Sequence, residues 1–404
     1  MNKVRSAAMG LGLWCAVACG ADPVAKPAAA DSASFGDAAA DGGGADSAKG
    51  DGAVQPERLD LQWDVAKPGP YRVGYRAWSH SYIPAAEDPS RTIGVAVWYP
   101  TTDKAGAPAN YSGIMDRPEV FADASLAAPA VPPKYPVLVY SHGYSGWAGG
   151  SPWLCEHFAS HGWVVIAPDH TGNLLPDHDA PKPTALWWWR ARDVSAAIDA
   201  VAALPATDPL AGKPDVSKVV MSGHSFGGYT TWVSSGGMFD QAKLAAACAE
   251  GKGLGGACTA HDLAQYAKGL ADPRIVAAMA LAPGNGDLKW MGPSGVAKIN
   301  VPVLLMTGTA DGGHIGGPIW QELQPLPRLK DSLWVDVQDG CHALWGFGEC
   351  LAVPKDQGYA INLHYPLAFA RRWLLGDSGA KTTELLAGQG IPSPLATVKL
   401  GKTL

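Results

Sequence analysis

The chain has 404 residues, of which 47% are apolar and 17% charged, ample for a large hydrophobic core; α/β folds often run past roughly 200 residues as one domain. A formal net charge of −6, with no block of lysine or arginine, argues against nucleic acid or an anionic membrane surface as partner. Sixteen tryptophans and 33 prolines point to long, ordered loops and away from a helical bundle.

The N-terminus reads as a bacterial export signal. Lys3 and Arg5 supply positive charge, Ala7 to Ala18 is a short apolar stretch, and "AVACG" puts a small residue directly before Cys19. The apolar stretch is too short for a permanent transmembrane helix. Cys19 has the setting of a lipidated cysteine, although Ala16 stands where that motif usually carries leucine. Residues 1–19 are therefore expected to be the signal, with Cys19 the lipid attachment point and simple cleavage the alternative. The product would be a periplasmic or cell-surface lipoprotein, or else a secreted protein. Residues 20–55 are almost entirely Ala, Gly, Asp, Ser, Pro and Lys, too poor in apolar surface to offset their ordering entropy, and are expected to be a tether.

Strand-like and helix-like segments then alternate. "RTIGVAVWYP" (91–100) is an early strand, and "YPVLVYSHG" (135–143) is an apolar strand running into a glycine turn. "WLCEHFASHG" (153–162) has helical spacing and a glycine stop, and "WVVIAPDHTG" (163–172) is another buried strand. "WWWRARDVSAAIDAVAAL" (187–204) is a long helix with one apolar face. After it come the strand "SKVVMSG" (217–223), a helix from Phe226, and the strands "RIVAAMALAPG" (274–284), "VPVLLMTGTADGG" (301–313) and "SLWVDVQDG" (332–340). The helix "YPLAFARRWLLG" (365–376) closes the series. Short, doubly buried strands separated by helices predict an α/β fold, a mainly parallel sheet covered on both faces. The domain is expected over 56–376, with 377–404 a C-terminal extension. The Gly- and Pro-rich segments 173–186, 236–272 and 284–300 are expected to wall a site at the carboxyl ends of the strands.

Seven cysteines are present, two of them in the signal. In an oxidising compartment the local pairings are Cys248 with Cys258 and Cys341 with Cys350, leaving Cys155 as a buried thiol. A Cys341–Cys350 bridge would brace the loop after the last strand. Neither CxxC pairs nor a metal-ligand array appears, so no metal and no cofactor is expected.

Chemistry concentrates after the strands. Gly223-His224-Ser225-Phe226-Gly227 fits G-x-S-x-G between a predicted strand and a predicted helix, the setting of a nucleophile elbow. The turn is expected to be so tight that a Cβ at Gly223 or Gly227 would clash, lifting the Ser225 hydroxyl into the open. Serine needs a base and an orienting acid, which follow it in the order acid then histidine. Asp311, directly after "VPVLLMTGTA", is the expected acid, with Asp287 the runner-up. His342, after "SLWVDVQDGC", is the expected base, ahead of His314 and His364. Backbone N–H groups of Tyr144 and Phe226 are the expected oxyanion donors. His142 reads as support for its own loop, Asp169 and His170 as loop stabilisers, and Arg192 with Asp193 as a helix-to-core polar contact. Trp147 and Trp187 to Trp189 either line an acyl pocket or simply pack.

"YSHGYSG", "ASHGWVVIAPDHTGN", "RARDVSAAIDA", "GHSFGGYT", "LAPG", "VPVLLMTGTAD" and "GCHALW" stand in the order and context of the predicted dienelactone-hydrolase-like α/β-hydrolases. That group is similar to platelet-activating-factor acetylhydrolases and bacterial polyesterases. The resemblance runs over roughly residues 70–375. It implies an α/β-hydrolase fold, hydrolysis of carboxylic esters (small-molecule, lipid or polyester), Ser225, Asp311 and His342 as triad, and Tyr144 and Phe226 as oxyanion donors. True dienelactone hydrolases use cysteine where this chain has Ser225, so the family name does not fix the substrate. The alternatives are an amidase or peptidase using the same triad, and an inactive binding protein on the same scaffold. The oligomeric state has no signature in the sequence.

Overall fold

The computed structural model describes residues 59–401 apart from 132, 285, 313 and 349. The expected signal, Cys19 and the 20–55 tether lie outside the described residues.

Among the described residues, eleven strands form one sheet: β1 (Arg72–Tyr82), β2 (Arg91–Thr101), β3 (Pro108–Tyr111), β4 (Met115–Ala122), β5 (Val137–Ser141), β6 (Val164–Asp169), β7 (Val219–His224), β8 (Ile275–Leu281), β9 (Val303–Gly308), β10 (Leu333–Val337) and β11 (Ala396–Leu400). Their spatial order is β11-β10-β9-β8-β7-β5-β6-β2-β1-β4-β3. From β6 through β5, β7, β8 and β9 to β10 every pairing is parallel. Antiparallel pairs occur at both sides, β2 with β6 and β10 with β11. The α/β class, with a parallel centre and helices on both faces, is as the sequence predicts.

Why the central strands read as unbroken apolar runs is visible in their neighbours. Leu138 and Tyr140 of β5 point into one core, which Phe158 and Tyr365 enter from helices Pro152–Ser160 and Lys355–Ala370. Val137 and Val139 point into the opposite core, against Val194 and Ile198 of helix Leu186–Ala202. On β9, Leu304 and Met306 face the first core, while Val303 and Leu305 face a cluster containing Tyr229 and Trp232. Each residue alternates face, and both faces are dry.

Departures from the sequence reading have local causes. β1 is buried at Val73, Gly74 and Tyr75 and from there alternates half-buried and exposed residues, so it lacks the run that marks a central strand. The segment 236–272 carries two helices: Gln241–Ala249 is capped by Asp240, which accepts from the Lys243 N–H at 3.1 Å, and Ala260–Lys268 by a Thr259–Asp262 capping box. The expected Cys248–Cys258 bridge ties the two together. The last long helix begins at Lys355, ten residues before the predicted start, and carries Pro366 in its interior. Residues 377–404, expected as an extension, contribute β11, which pairs along all of β10.

Five histidines are packed inside as neutral rings, each with a defined partner. His157 meets the Val65 carbonyl at 3.0 Å, and His161 meets the Lys67 carbonyl at 2.8 Å while accepting from Arg371 at 2.9 Å. His142, His170 and His224 sit near the carboxyl ends of β5, β6 and β7. Burial pushes all five down: His142 and His157 well below the usual imidazole value, His161 to about 4, and His170 and His224 to about 3. The unfolded chain takes up protons at these positions near pH 6.5 and the folded chain does not, so stability falls as the pH drops from about 6.5 to 5. Asp287, raised by burial to about 7, works in the opposite direction. Urea midpoints are therefore expected to be clearly lower at pH 5 than at pH 7.5. A flat profile over that range would contradict the neutral-ring arrangement.

Candidate active site

β7 ends at His224 and a helix begins at Phe226, leaving Ser225 alone to reverse the chain. It does so at φ 56° and ψ −119°, a conformation costly for a residue with a Cβ. The expected clash is present on both sides. A Cβ on Gly223 would run into the Gly227 carbonyl, and one on Gly227 into the Ser141 carbonyl of β5. The Ser225 N–H is tied to the Leu281 carbonyl at 2.9 Å, so the strained residue is anchored to β8.

His342 follows β10 and opens a short 3₁₀ turn, His342–Trp345. Its Nε2 lies 2.8 Å from the Ser225 Oγ, and its Nδ1 lies 3.0 and 2.9 Å from the two carboxylate oxygens of Asp311. With the proton on Nδ1 donated to Asp311, Nε2 is left to accept from the serine hydroxyl. Asp311 follows β9 and is 5% exposed, whereas Ser225 and His342 are part-exposed. The structure thus brings together the three residues expected to react. It does not bring in the alternatives. Asp287 is buried with its Oδ2 unpaired, His314 binds Asp336 at 2.7 Å, and His364 lies in the helix Lys355–Ala370.

A second serine–histidine–aspartate chain runs beneath the first. Ser141 Oγ is 2.9 Å from His170 Nε2, and His170 Nδ1 is 2.9 Å from Asp193. All three residues are at 0% exposure, and the Ser141 oxygen already accepts from Arg190 at 3.0 Å. No substrate carbonyl can reach that hydroxyl, so this chain is a brace. Burial opposes the charge on Asp193, yet bonds from Arg91 and His170 outweigh it and hold the carboxyl at about 2. Arg190, fully buried and pulled down to about 9 by desolvation, donates to Asn173 at 2.8 Å, to Thr230 at 3.0 Å and to the His142 carbonyl. Its guanidinium also lies 4.4 Å from the Phe226 ring centroid.

The loop after β5 is braced from several sides. His142 Nδ1 donates to the Gly143 carbonyl at 2.7 Å, and its Nε2 accepts from the His170 N–H at 3.1 Å. Asp169 accepts from the Ala148 N–H at 2.7 Å. His142, Asp169 and His170 thus hold the loop, as their sequence context suggests. A Cβ on Gly143 would stand 3.3 Å from the Ser225 Cβ, so this loop passes directly beside the serine. Tyr144 follows it at 45% exposure, and Phe226 supplies the first N–H of its helix, which has no partner within the helix. Of the Arg192 and Asp193 pair, Asp193 alone enters this network; Arg192 reaches only the Gly269 carbonyl, at 3.3 Å.

Aromatic rings crowd the surroundings. Trp187 lies 4.5 Å from Phe226, Tyr144 6.2 Å from Phe226, and Trp147 4.9 Å from the half-exposed Phe347. Trp188 instead packs inward, its indole N–H donating to Asp262 at 2.8 Å. Phe347 had no signal in the sequence beyond following His342.

One expectation is corrected. Cys341 and Cys350 are thiols, not a bridge. The Cys350 sulfur accepts from the Cys341 N–H at 2.9 Å and contacts the Asp339 carbonyl at 3.3 Å, so it is engaged by the turn's backbone. Burial and a hydrogen bond with the Cys350 sulfur push the Cys341 thiol up to about 12. Cys155 is a buried thiol. Among the described residues, no group of three or more His, Cys, Asp or Glu could hold a metal ion, and no helix is long and apolar enough to cross a membrane.

Comparison with known proteins agrees with this architecture. Residues 116–248 match the chlorophyllase family model. A cutinase, est1 of Thermobifida alba, is 33% identical over 108 residues, 27% of this chain and 33% of that protein. Cutinase cut1 of Thermobifida fusca is 32% identical over 108 residues, covering 27% of this chain and 30% of that protein. The chain thus spans about a third of the length of the curated relatives it matches. A ferulic acid esterase structure from Streptomyces cinnamoneus superposes with a TM-score of 0.57 at 21% identity, covering 84% of this chain and 99% of that one. The described chain has the α/β-hydrolase fold.

Proposed function

We propose that the protein is a serine hydrolase of carboxylic esters, with Ser225 as nucleophile, His342 as base and Asp311 as orienting acid. The observation that carries the reading is the His342 ring set between the Ser225 hydroxyl at 2.8 Å and the Asp311 carboxylate at 2.9 Å. Nε2 takes the serine proton as Oγ attacks the ester carbonyl, and Asp311 stabilises the imidazolium that forms. The oxyanion is received by the N–H groups of Phe226 and Tyr144. His342 then returns the proton to the departing alcohol, and water, activated by the same ring, releases the acid from Ser225.

The cutinases and the ferulic acid esterase among its likenesses support an ester with a sizeable apolar or aromatic acyl part. So do Tyr144 and Phe347, exposed on the loops after β5 and β10. Lys3, Arg5 and the apolar stretch ending at Cys19 support export with a lipid anchor.

Ser225→Ala is expected to remove hydrolysis of p-nitrophenyl esters while leaving the melting temperature unchanged; retained turnover would sink the assignment. Asp311→Asn, which removes the orienting carboxylate, should lower kcat by on the order of 10⁴-fold. A series of esters from acetyl to palmitoyl, one polyester film and matched anilides ranks the substrates, and faster anilide cleavage would turn the reading to an amidase. For the anchor, Cys19→Ser should abolish metabolic labelling by palmitate and shift the protein from membrane to soluble fractions. Unchanged labelling would remove Cys19 from the proposal.

A further inference from the structure

His224 sits one residue before Ser225, and the chemistry proposed above makes no use of it. Its Nε2 lies 3.0 Å from the backbone carbonyl oxygen of His342. A carbonyl only accepts, so Nε2 carries the hydrogen and His224 is the donor. The two imidazoles stand 4.8 Å apart, tilted by 43°. Two glycines flank the His224 ring: a Cβ on Gly346 would come within 3.2 Å of its Cε1, and one on Gly143 within 3.5 Å of its Nδ1. One ring thus touches the loop beside the oxyanion donor and the loop that carries the base.

We infer that His224 is a positioning residue which, through its hydrogen bond to the His342 carbonyl, fixes the distance between the base and the serine. The inference rests on the ester hydrolase reading. β7 and the elbow are rigidly anchored: Ser225 to β8 through Leu281, and Gly227 against Ser141. His342 stands beyond the end of β10, on a turn four residues long. That turn is clamped at its far end, where Ser151 donates to the Trp345 carbonyl at 2.7 Å and Trp153 to the Gly346 carbonyl at 3.0 Å. At its near end the bond from His224 joins it to the strand bearing the nucleophile. Because His224 and Ser225 are adjacent in the chain, any shift of the elbow carries base and nucleophile together. Burial and the neighbouring His342 ring keep the His224 imidazole at about 3, neutral in the working range, so it places no second cation beside the imidazolium that forms in the reaction.

Three variants test this in the full-length protein. Gln at position 224 can present an amide N–H to the same carbonyl, Asn is too short to reach it, and Leu fills the space with no donor. For p-nitrophenyl acetate, His224→Gln is expected to keep kcat within about threefold of the parent, while His224→Asn and His224→Leu lose on the order of 10²-fold in kcat, the scale of an ångström-sized misplacement. KM should stay within about twofold for all three. Labelling of Ser225 by a fluorophosphonate should slow in parallel with kcat, and the melting temperatures should not follow that ranking. Parental kcat in the Asn or Leu variant would overturn the inference alone, as would equal losses in all three that track a falling melting temperature. If His224→Leu does not fold, the Gln and Asn pair decides. An unsubstituted protein that neither cleaves esters nor takes the label overturns the hydrolase reading and this inference with it.

Discussion

A single guanidinium with no access to water sets the geometry of the carboxyl-end face. Arg190 reaches three pieces of chain: the end of β5 at Ser141 and His142, the loop after β6 at Asn173, and the helix behind Ser225 at Thr230 and the Phe226 ring. Burying a charge this way is tolerable only because nearly every donor is used and Asp193 lies close by, itself bound by Arg91 at 2.7 Å. Breaking such a buried cluster by removing one partner typically costs about 3–5 kcal/mol, since the remaining charge stays buried without compensation. The loop after β5 and the start of the helix behind Ser225, the two places where oxyanion donors are proposed, therefore share one anchor.

The two serine–histidine–aspartate chains show how little the residue types alone decide. Ser141, His170 and Asp193 have bond lengths close to those of Ser225, His342 and Asp311. What separates them is access and spare bonding capacity. Ser141 points inward from a fully buried strand, and its oxygen is occupied by Arg190. Ser225 is turned outward by a backbone held at positive φ, and it meets a histidine on a loop. Sequence context separates them too, since Ser225 stands in G-x-S-x-G and Ser141 does not.

Much of this was legible in the sequence, and the reasons differ from place to place. The central strands announce themselves because burial on both faces demands continuous apolar runs, as in "VPVLLMTG" and "SLWVDV". The glycines around Ser225 announce the elbow because only a missing Cβ permits the approach to Ser141. That Asp311 and His342 meet at Ser225 was legible because both follow strand ends, where α/β folds gather their sites. β1, β3, β4 and β11 were not legible: β1 breaks up its apolar residues with Gly74, Arg76 and the run Ser79-His80-Ser81, β3 has four residues, β4 carries Asp116, Arg117 and Pro118, and β11 has the pattern of a surface segment, with Thr397 and Lys399 exposed. The state of Cys341 and Cys350 could not be read either, because spacing gives proximity and says nothing of whether the sulfurs join. His224 escaped for another reason. Its partner is a backbone carbonyl, and main-chain acceptors leave no trace in a pattern of side chains.

β11 looks like an afterthought in the chain, yet it covers the flank of the strand that delivers His342. Along its whole length it pairs with β10, from Leu333 opposite Leu400 to Val337 opposite Ala396. A chain clipped shortly after Gly376 would keep every residue of the proposed chemistry and still leave β10 as a raw, apolar border with unpaired amides. Borders of that kind recruit strands from other molecules. The tail therefore acts as a hem, and shortening it invites clumping before it touches the chemistry.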